Sequence, residues 1–178
     1  HVRKKNLETP ITLFGHSLGG LICLSFLINR EIKEIDSAII SSPWIKLGLE
    51  VPKYLIGIQK VLVNIMPSFR LSNRININDL TKDNDINFKY SKDQLVHDRI
   101  SFRLYSEINK QIERANRIKI KTLLYHGSDD KIISSESVDI LSLLINNNQK
   151  IIFDKAYHEP HNDLEKKEVF KKIIKFLN

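Results

Sequence analysis

Short apolar segments alternate along this chain with longer amphipathic ones. Four segments of strand length are rich in Ile, Leu and Phe and are bounded by polar or turn residues: 10–15, 36–42, 119–126 and 149–154. Runs with apolar residues at helical spacing follow, at 18–31, at 136–146 and at the C-terminus. Strands that alternate with helices are typical of proteins with a mostly parallel sheet. The pattern therefore predicts an α/β fold in which helices flank such a sheet.

Two of the predicted helices carry further signals. Ser134 or Ser135 is placed to cap the helix at 136–146, since a serine hydroxyl accepts hydrogen bonds from the first N–H groups of a helix. In the C-terminal helix, lysines fall on the solvent face, and the apolar residues expected to face inward are Leu164, Val169, Phe170, Ile173, Ile174 and Leu177.

A long insertion interrupts the alternation, which divides the chain into three parts: a core at 1–43, a helical cap or lid at 44–116, and a core at 117–178. Within the insertion, the apolar segment 54–66 is too short to span a bilayer. The segment 72–90 is rich in Asn and Asp, which predicts a mobile loop. Residues 97–117 predict a helix that leads back to the core.

The first apolar strand leads directly into the run Gly15-His16-Ser17-Leu18-Gly19-Gly20 and then into a helix. A strand that turns at Gly-x-Ser-x-Gly into a helix exposes a nucleophilic serine at the edge of a sheet. We expect Gly15 and Gly19 to let the strand and the helix approach closely, because they carry no side chain. The Leu18 N–H then faces the position where an oxyanion would form. Ser17 is thus a candidate nucleophile.

An acid and a histidine follow in the chain order that such a serine requires. The strand at 119–126 ends in a polar loop that holds Asp129 and Asp130, and the strand at 149–154 leads to His158 and His161. Each candidate lies just past the C-terminal end of a strand, where open α/β sheets place their sites. The order and the positions together indicate nucleophilic catalysis by a serine, a histidine and an acid.

These motifs resemble the monoacylglycerol lipase and lysophospholipase branch of the α/β-hydrolases, also described as serine aminopeptidase S33-like hydrolases. The segment 126–130 matches the His-Gly-x-x-Asp acid loop of that family, and the segment 156–159 matches its histidine loop. The resemblance implies the α/β-hydrolase fold and a catalytic triad of Ser17, Asp130 and His158. It also implies supporting rather than catalytic roles for His16, His126 and His161.

The resemblance also predicts what lies outside this sequence. A complete domain of the family has more strands than the four found here, so we expect the chain to be a C-terminal portion that lacks the N-terminal strands. The second oxyanion donor should then come from the absent segment. One departure lies in the cap, where Gln94 stands in place of the proline that is usual after an aspartate such as Asp93.

The activity implied by the resemblance is hydrolysis of a carboxylic ester of a single-chain lipid, a monoacylglycerol or a lysophospholipid, through an acyl-enzyme. A general carboxylesterase, an S33-like peptidase and a non-catalytic binding protein of this fold stay open as alternatives. For the apolar segment 54–66, two interpretations also stay open: a cap helix packed over the acyl pocket, and a helix that dips into a lipid surface.

Composition narrows the choice of partners. The 178 residues carry a formal charge of +7, but the lysines are scattered, which argues against nucleic-acid binding. Cys23 is the one cysteine, so no disulfide forms within the chain, and we interpret it as a small core residue.

No Cys/His cluster has metal-ligand spacing, and we expect neither a metal nor a cofactor. The sequence shows no secretory signal or transmembrane run, but targeting stays open because we expect the N-terminus of the protein to lie outside this sequence. We expect a cytoplasmic location, to which peripheral membrane contact through the cap can be added.

Overall fold

The computed structural model describes residues 9–30, 33–46, 48, 65–66, 68, 70–72, 75–96, 99–101, 103–104 and 112–178. The strands within these ranges are β1 (Thr12–His16), β2 (Ser37–Ser41), β3 (Arg70–Ser72), β4 (Arg99–Ser101), β5 (Lys121–Gly127) and β6 (Asn148–Phe153). The α-helices are α1 (Leu18–Asn29), α2 (Asn84–Lys92), α3 (Glu136–Leu144) and α4 (Lys166–Leu177). Short 3-10 turns lie at Ile77–Asp79, Ile112–Arg117 and Pro160–Asn162.

The strands β1, β2, β5 and β6 form one parallel sheet in that order. This confirms the predicted sheet, and each strand lies within two residues of its predicted bounds. Ser41 pairs with His16 on one side and with Tyr125 on the other, while Gly127 pairs with Phe153. The strands therefore end at one edge of the sheet, and the loops that follow β1, β5 and β6 leave from that edge side by side.

The core lies on both faces of this sheet. Side chains of a strand point alternately to its two faces, so Ile39 and Ile40 enter different apolar clusters, as do Leu123 and Leu124. One cluster packs against α1 and α3, and the other packs against α4. All five residues of β2 are buried, as expected of an internal strand with helices on both faces.

The insertion contains more regular structure than its composition predicts. The expected mobile loop at 72–90 is wrong, because this segment forms a 3-10 turn and α2. Asp83 begins α2 by accepting hydrogen bonds from the N–H groups of Asp85 and Ile86, so an aspartate that favours loops acts here as a helix cap. The expected helix at 97–117 is wrong at residues 99–101, which form β4, and at residues 112–117, which form a 3-10 turn, whereas residues 103 and 104 are helical.

The inward face of α4 is narrower than the sequence predicts. Val169 and Phe176 are buried, and Ile173 packs beside them. The other apolar residues expected to face inward are between 49% and 63% exposed: Leu164, Phe170, Ile174 and Leu177. Positions 169, 173 and 176 form one stripe at helical spacing, and 170, 174 and 177 form the adjacent stripe, which faces solvent. The prediction combined the two stripes into one face.

Two further expectations concern the caps and the apolar segment of the insertion. Ser134 rather than Ser135 supports the start of α3, because its hydroxyl accepts from the N–H of Glu136. The segment 54–66 lies outside the described residues except for Ile65 and Met66, which are exposed. Across the described ranges, no helix is long and apolar enough to cross a membrane.

Candidate active site

Ser17 occupies a strained turn between β1 and α1. Its backbone angles are φ 52° and ψ −119°, in a region that L-residues rarely adopt and that costs about 1–3 kcal/mol. Hydrogen bonds hold this conformation: the Ser17 N–H donates to the carbonyl of Ser41 at 2.9 Å, and the Trp44 N–H donates to the carbonyl of Ser17 at 3.2 Å. The end of β2 and the residues after it therefore fix the turn that presents the serine.

The glycines around this turn differ in what they contribute. A Cβ added to Gly15 would lie 2.6 Å from the carbonyl oxygen of Gly19 and 2.8 Å from the Cα of Gly20, so the strand and the helix approach closely there, as predicted. A Cβ added to Gly19 would meet no described atom within 4 Å, so the expectation of a close approach at Gly19 is wrong. Of the two glycines in the helix, Gly20 is the one that packs against the sheet, since a Cβ added to it would lie 3.3 Å from both the Gly15 carbonyl oxygen and the Ile40 side chain. The helix turns its second glycine, not its first, towards the strand.

The helix α1 begins at Leu18, directly after the serine. The first N–H groups of a helix have no partner within it. The Leu18 N–H donates to no atom in the described part of the chain. It is therefore available to an oxygen bound beside Ser17, which is the role that the sequence predicts for it.

Asp130 and His158 meet at the sheet edge. The Nδ1 of His158 lies 2.7 Å from the Asp130 Oδ2, and both side chains are buried, at 3% and 0% exposure. An ionised carboxylate only accepts hydrogen bonds, so His158 Nδ1 carries a proton and donates it to Asp130. The alternative acid Asp129 is exposed, and its carboxylate accepts from the Ser128 hydroxyl. The structure thus pairs the histidine with Asp130.

The Asp130 carboxylate accepts from four groups. Its Oδ1 accepts from the N–H groups of Ile132 at 2.8 Å and Ile133 at 2.9 Å. Its Oδ2 accepts from His158, and also from the Nε2 of His126 at 2.8 Å. Burial on its own would raise the pKa of Asp130, but the hydrogen bonds from the two histidines outweigh it and hold this pKa well below its ordinary value. The acid therefore stays ionised.

The loop that carries His158 is fixed at two points. Gly127, at the end of β5, passes so close beneath it that an added Cβ would lie 2.2 Å from the carbonyl oxygens of Ala156 and Tyr157. On the other side, the buried Asp163 accepts from the Tyr157 N–H at 2.8 Å and from the Lys82 N–H at 3.0 Å. The insertion therefore helps to hold the histidine loop, which the sequence did not predict.

The rings of three histidines, His16, His158 and His161, pack together. His16 lies 4.7 Å from His158 and 4.9 Å from His161, measured between ring centroids. Burial, followed by the charges of His158 and His161, lowers the pKa of His16 well below its ordinary value. Burial and then His158 lower the pKa of His161 to about 4. In the described ranges, no three His, Cys, Asp or Glu side chains are arranged to hold a metal ion.

The remaining contacts give His16 and His161 supporting positions. The Nδ1 of His16 lies 3.1 Å from the Ser41 hydroxyl, and the Nδ1 of His161 lies 3.1 Å from the Tyr125 hydroxyl. Burial raises the pKa of that buried tyrosine, which keeps the hydroxyl protonated. Neither histidine contacts Asp130 by a hydrogen bond, in contrast to His158.

Ser17 and His158 flank His16 but are not joined by a hydrogen bond within the described ranges. Hydrogen bonds between a catalytic serine and its histidine commonly tighten only when the substrate binds. The structure thus brings Asp130 and His158 together directly, and the ring of His16, the residue before Ser17, packs against the ring of His158.

Sequence reasoning missed Asp163, Ser41 and the tight contact at Gly127. The backbone carbonyl of Ser41 accepts a hydrogen bond from the Ser17 N–H. Every residue type has such a carbonyl, so the sequence does not reveal this contact. Asp163 shows no motif either, since two of its donors, the Thr81 hydroxyl and the Lys82 N–H, come from a segment about 80 residues earlier. For Gly127, a signal was present: a glycine directly after a strand marks a place where two backbones can approach closely.

The chain is similar to proteins of known family and structure. A family model described as serine aminopeptidase, S33, matches residues 1–165. The chain is 28% identical over 176 residues to the phospholipase YtpA of Bacillus subtilis, covering 95% of this chain and 68% of that protein. It is 27% identical over 172 residues to the monoglyceride lipase of Rattus norvegicus, covering 92% and 56%. The crystal structure of a Paleococcus ferrophilus monoacylglycerol lipase superposes with a TM-score of 0.83 and 32% identity, covering 97% and 70%. The chain thus spans just over half of the rat protein and about two thirds of the other two.

Proposed function

Because this chain belongs to the serine aminopeptidase S33 family of α/β-hydrolases, we propose that it is a serine hydrolase that cleaves a single-chain lipid ester through an acyl-enzyme. The observation that carries the proposal is the strained conformation of Ser17 at the same sheet edge as the hydrogen-bonded pair of Asp130 and His158. A conformation that costs free energy persists where the surrounding hydrogen bonds enforce it, and such positions cluster at active sites.

In the proposed first step, the Ser17 Oγ attacks the ester carbonyl while the His158 Nε2 takes the hydroxyl proton. The new C–O bond leaves the electron pair of the carbonyl on its oxygen. The Leu18 N–H donates to this oxyanion, and losing a comparable donor costs roughly 10²–10³-fold in rate. His158 then returns the proton to the leaving alcohol as the C–O bond to it breaks.

Asp130 supports both proton transfers without taking a proton itself. Its carboxylate holds the Nδ1–H of His158, which keeps the Nε2 lone pair directed away from the acid and stabilises the imidazolium that forms. In the second half of the reaction, water attacks the acyl-enzyme, and His158 acts again as base and then as acid. The products are a fatty acid and an alcohol.

The choice of a lipid ester as substrate rests on the relatives. Their names assign monoacylglycerols to the rat and Paleococcus proteins and a phospholipid to the Bacillus protein. We therefore propose a monoacylglycerol or a lysophospholipid as the substrate class. The cytoplasmic location, the three-part division of the chain and the contact of its cap with a lipid surface stay predictions from the sequence.

Labelling with a fluorophosphonate probe tests the proposed nucleophile, because only an activated serine reacts. We expect one adduct, located by mass spectrometry on Ser17, and none in Ser17→Ala. The matched control is Ser91→Ala, which removes an exposed serine of α2 whose hydroxyl only donates to the Phe88 carbonyl, and it should label like the unchanged protein. An unlabelled protein would favour a non-catalytic binding role.

A substrate panel then separates the remaining alternatives. It contains a monoacylglycerol, a lysophospholipid, a short p-nitrophenyl ester and a peptide amide. Hydrolysis of either lipid that is lost in Ser17→Ala supports the proposal. Hydrolysis of the short ester alone indicates a general carboxylesterase, and hydrolysis of the peptide alone indicates a peptidase.

A further inference from the structure

A second histidine contacts the proposed catalytic acid. His126, near the end of β5, is fully buried, and its Nε2 lies 2.8 Å from the Asp130 Oδ2. This is the same carboxylate oxygen that His158 approaches at 2.7 Å. The resemblance that identified the acid loop assigns no contact to this histidine, and the mechanism proposed above does not use it.

The hydrogen-bond partners of His126 fix which of its ring nitrogens carries the proton. Its Nε2 faces two acceptors, the Asp130 Oδ2 at 2.8 Å and the carbonyl oxygen of Ile133 at 3.1 Å, so this nitrogen must donate. Its Nδ1 is buried and has no partner in the described part of the chain. A proton there would be a buried donor without an acceptor, which is unfavourable. His126 therefore donates from Nε2.

With this donor in place, the Asp130 carboxylate is fully occupied. A carboxylate has about four lone-pair sites, and Asp130 receives two backbone N–H groups on Oδ1 and two imidazole N–H groups on Oδ2. The single Nε2–H of His126 is shared between the Asp130 Oδ2 and the Ile133 carbonyl oxygen, so the ring also ties the start of the acid loop to its end. Rotation of the carboxylate would break several of these bonds at once, since they converge on it from different directions.

We propose that His126 is a positioning residue that fixes the Asp130 carboxylate, and thereby the His158 ring, by donating its Nε2–H to Oδ2. The catalytic part of this inference rests on the function proposed above, whereas the effect on the carboxylate does not. Without the donor, a buried charged oxygen loses one partner, so the carboxylate is easier to protonate and less firmly oriented.

Two amide substitutions distinguish a specific donor from mere packing. In His126→Gln, the side-chain N–H can reach the position of the imidazole Nε2. In His126→Asn, the shorter side chain places its N–H near the position of Nδ1, away from Oδ2. Both variants keep a neutral polar group in the same buried place, so they differ chiefly in whether a donor faces Asp130.

The first readout is the pKa of Asp130, measured by carbon NMR of its labelled carboxyl group, which requires no activity. We expect it to stay near that of the unchanged protein in His126→Gln and to rise by one unit or more in His126→Asn. The second readout is the pH profile of hydrolysis of a p-nitrophenyl ester. In His126→Asn we expect kcat to fall about 10-fold or more, as for one hydrogen bond to a charged group, with KM within about twofold.

Equal pKa values of Asp130 in the two variants would overturn the inference, and so would equal rates. Should the Asn variant fail to fold, the Gln variant decides alone: a raised pKa of Asp130 or a rate as low as that of Asp130→Asn would contradict a donor role. If no ester is hydrolysed by the unchanged protein while the pKa of Asp130 still follows the donor, the proposed function fails and the positioning of the carboxylate stands.

Discussion

Gly127 is the point where the acid strand passes beneath the histidine loop, and its replacement by alanine tests whether this contact holds the site together. An added Cβ would lie 2.2 Å from the carbonyl oxygens of both Ala156 and Tyr157, whereas ordinary contacts of a Cβ begin near 3.4 Å. Both clashing atoms belong to the backbone, so no side chain can rotate away. The loop must therefore move by about 1 Å to admit a methyl group.

The displacement predicts a loss of both stability and activity. Overpacking of this kind typically costs about 1–3 kcal/mol, which corresponds to a decrease in Tm of roughly 3–10 °C for a chain of this size. His158 is the next residue after Tyr157, so the same movement shifts the base relative to Asp130. A misplacement of about 1 Å in an active site costs on the order of 10²-fold in rate. We expect kcat/KM of Gly127→Ala to fall by about that factor.

The control is Gly19→Ala, which adds the same methyl group where the structure leaves open space. No described atom lies within 4 Å of the added Cβ, and Gly19 lies in α1, where alanine is favoured over glycine by roughly 0.5–1 kcal/mol. Thermal unfolding followed by circular dichroism and hydrolysis of a p-nitrophenyl ester measure both effects. If Gly127→Ala keeps the Tm and the rate of the unchanged protein, or if both variants are damaged alike, the contact at Gly127 does not hold the loop.

Three further predictions follow from the hydrogen bonds and pKa shifts of the site. Asp130→Asn should lower kcat by about 10⁴-fold, as for the acid of other serine triads, whereas Asp129→Asn should retain most of the activity; the reverse result in the ester assay would reassign the acid. Asp163→Ala removes the acceptor of three backbone N–H groups and should destabilise the fold by roughly 2–4 kcal/mol in urea unfolding, and a change below about 0.5 kcal/mol would refute its anchoring role. The pKa of His161, lowered from 6.5 to about 4, means that the unfolded chain binds this proton first on acidification. Stability should therefore fall from pH 6.5 towards pH 4, and less steeply in His161→Gln; parallel pH profiles of the two proteins would contradict this.

The sequence predicted the sheet because two independent signals agreed. Apolar segments of strand length marked β1, β2, β5 and β6, and the alternation with helices indicated that they run parallel. Parallel strands that end at one edge bring their following loops together, so the motifs that hold Ser17, Asp130 and His158 were expected to converge. The hydrogen bond between Asp130 and His158 agrees with that expectation.

The insertion was harder to predict because its polar residues have two uses. Asn and Asp favour loops, but they also cap helices, and residue type alone does not distinguish these roles. Asp83 caps α2 inside the segment expected to be a loop. In α4, a second apolar stripe that faces solvent was predicted to belong to the core. Hydrophobic spacing shows where a helix has an apolar face, but it does not show how much of that face packs against the sheet.

The contacts that hold His158 also have no sequence signature, because most of the donors are backbone N–H groups. Asp163 accepts on one oxygen from Lys82 N–H, Leu164 N–H and the Thr81 hydroxyl, and on the other from Tyr157 N–H. It matches Asp130, whose carboxylate also accepts from four groups. One buried carboxylate fixes the ring of His158, and the other fixes the backbone just before it. Since any residue except proline supplies an N–H, such a carboxylate can be recognised only after the fold has brought its donors together.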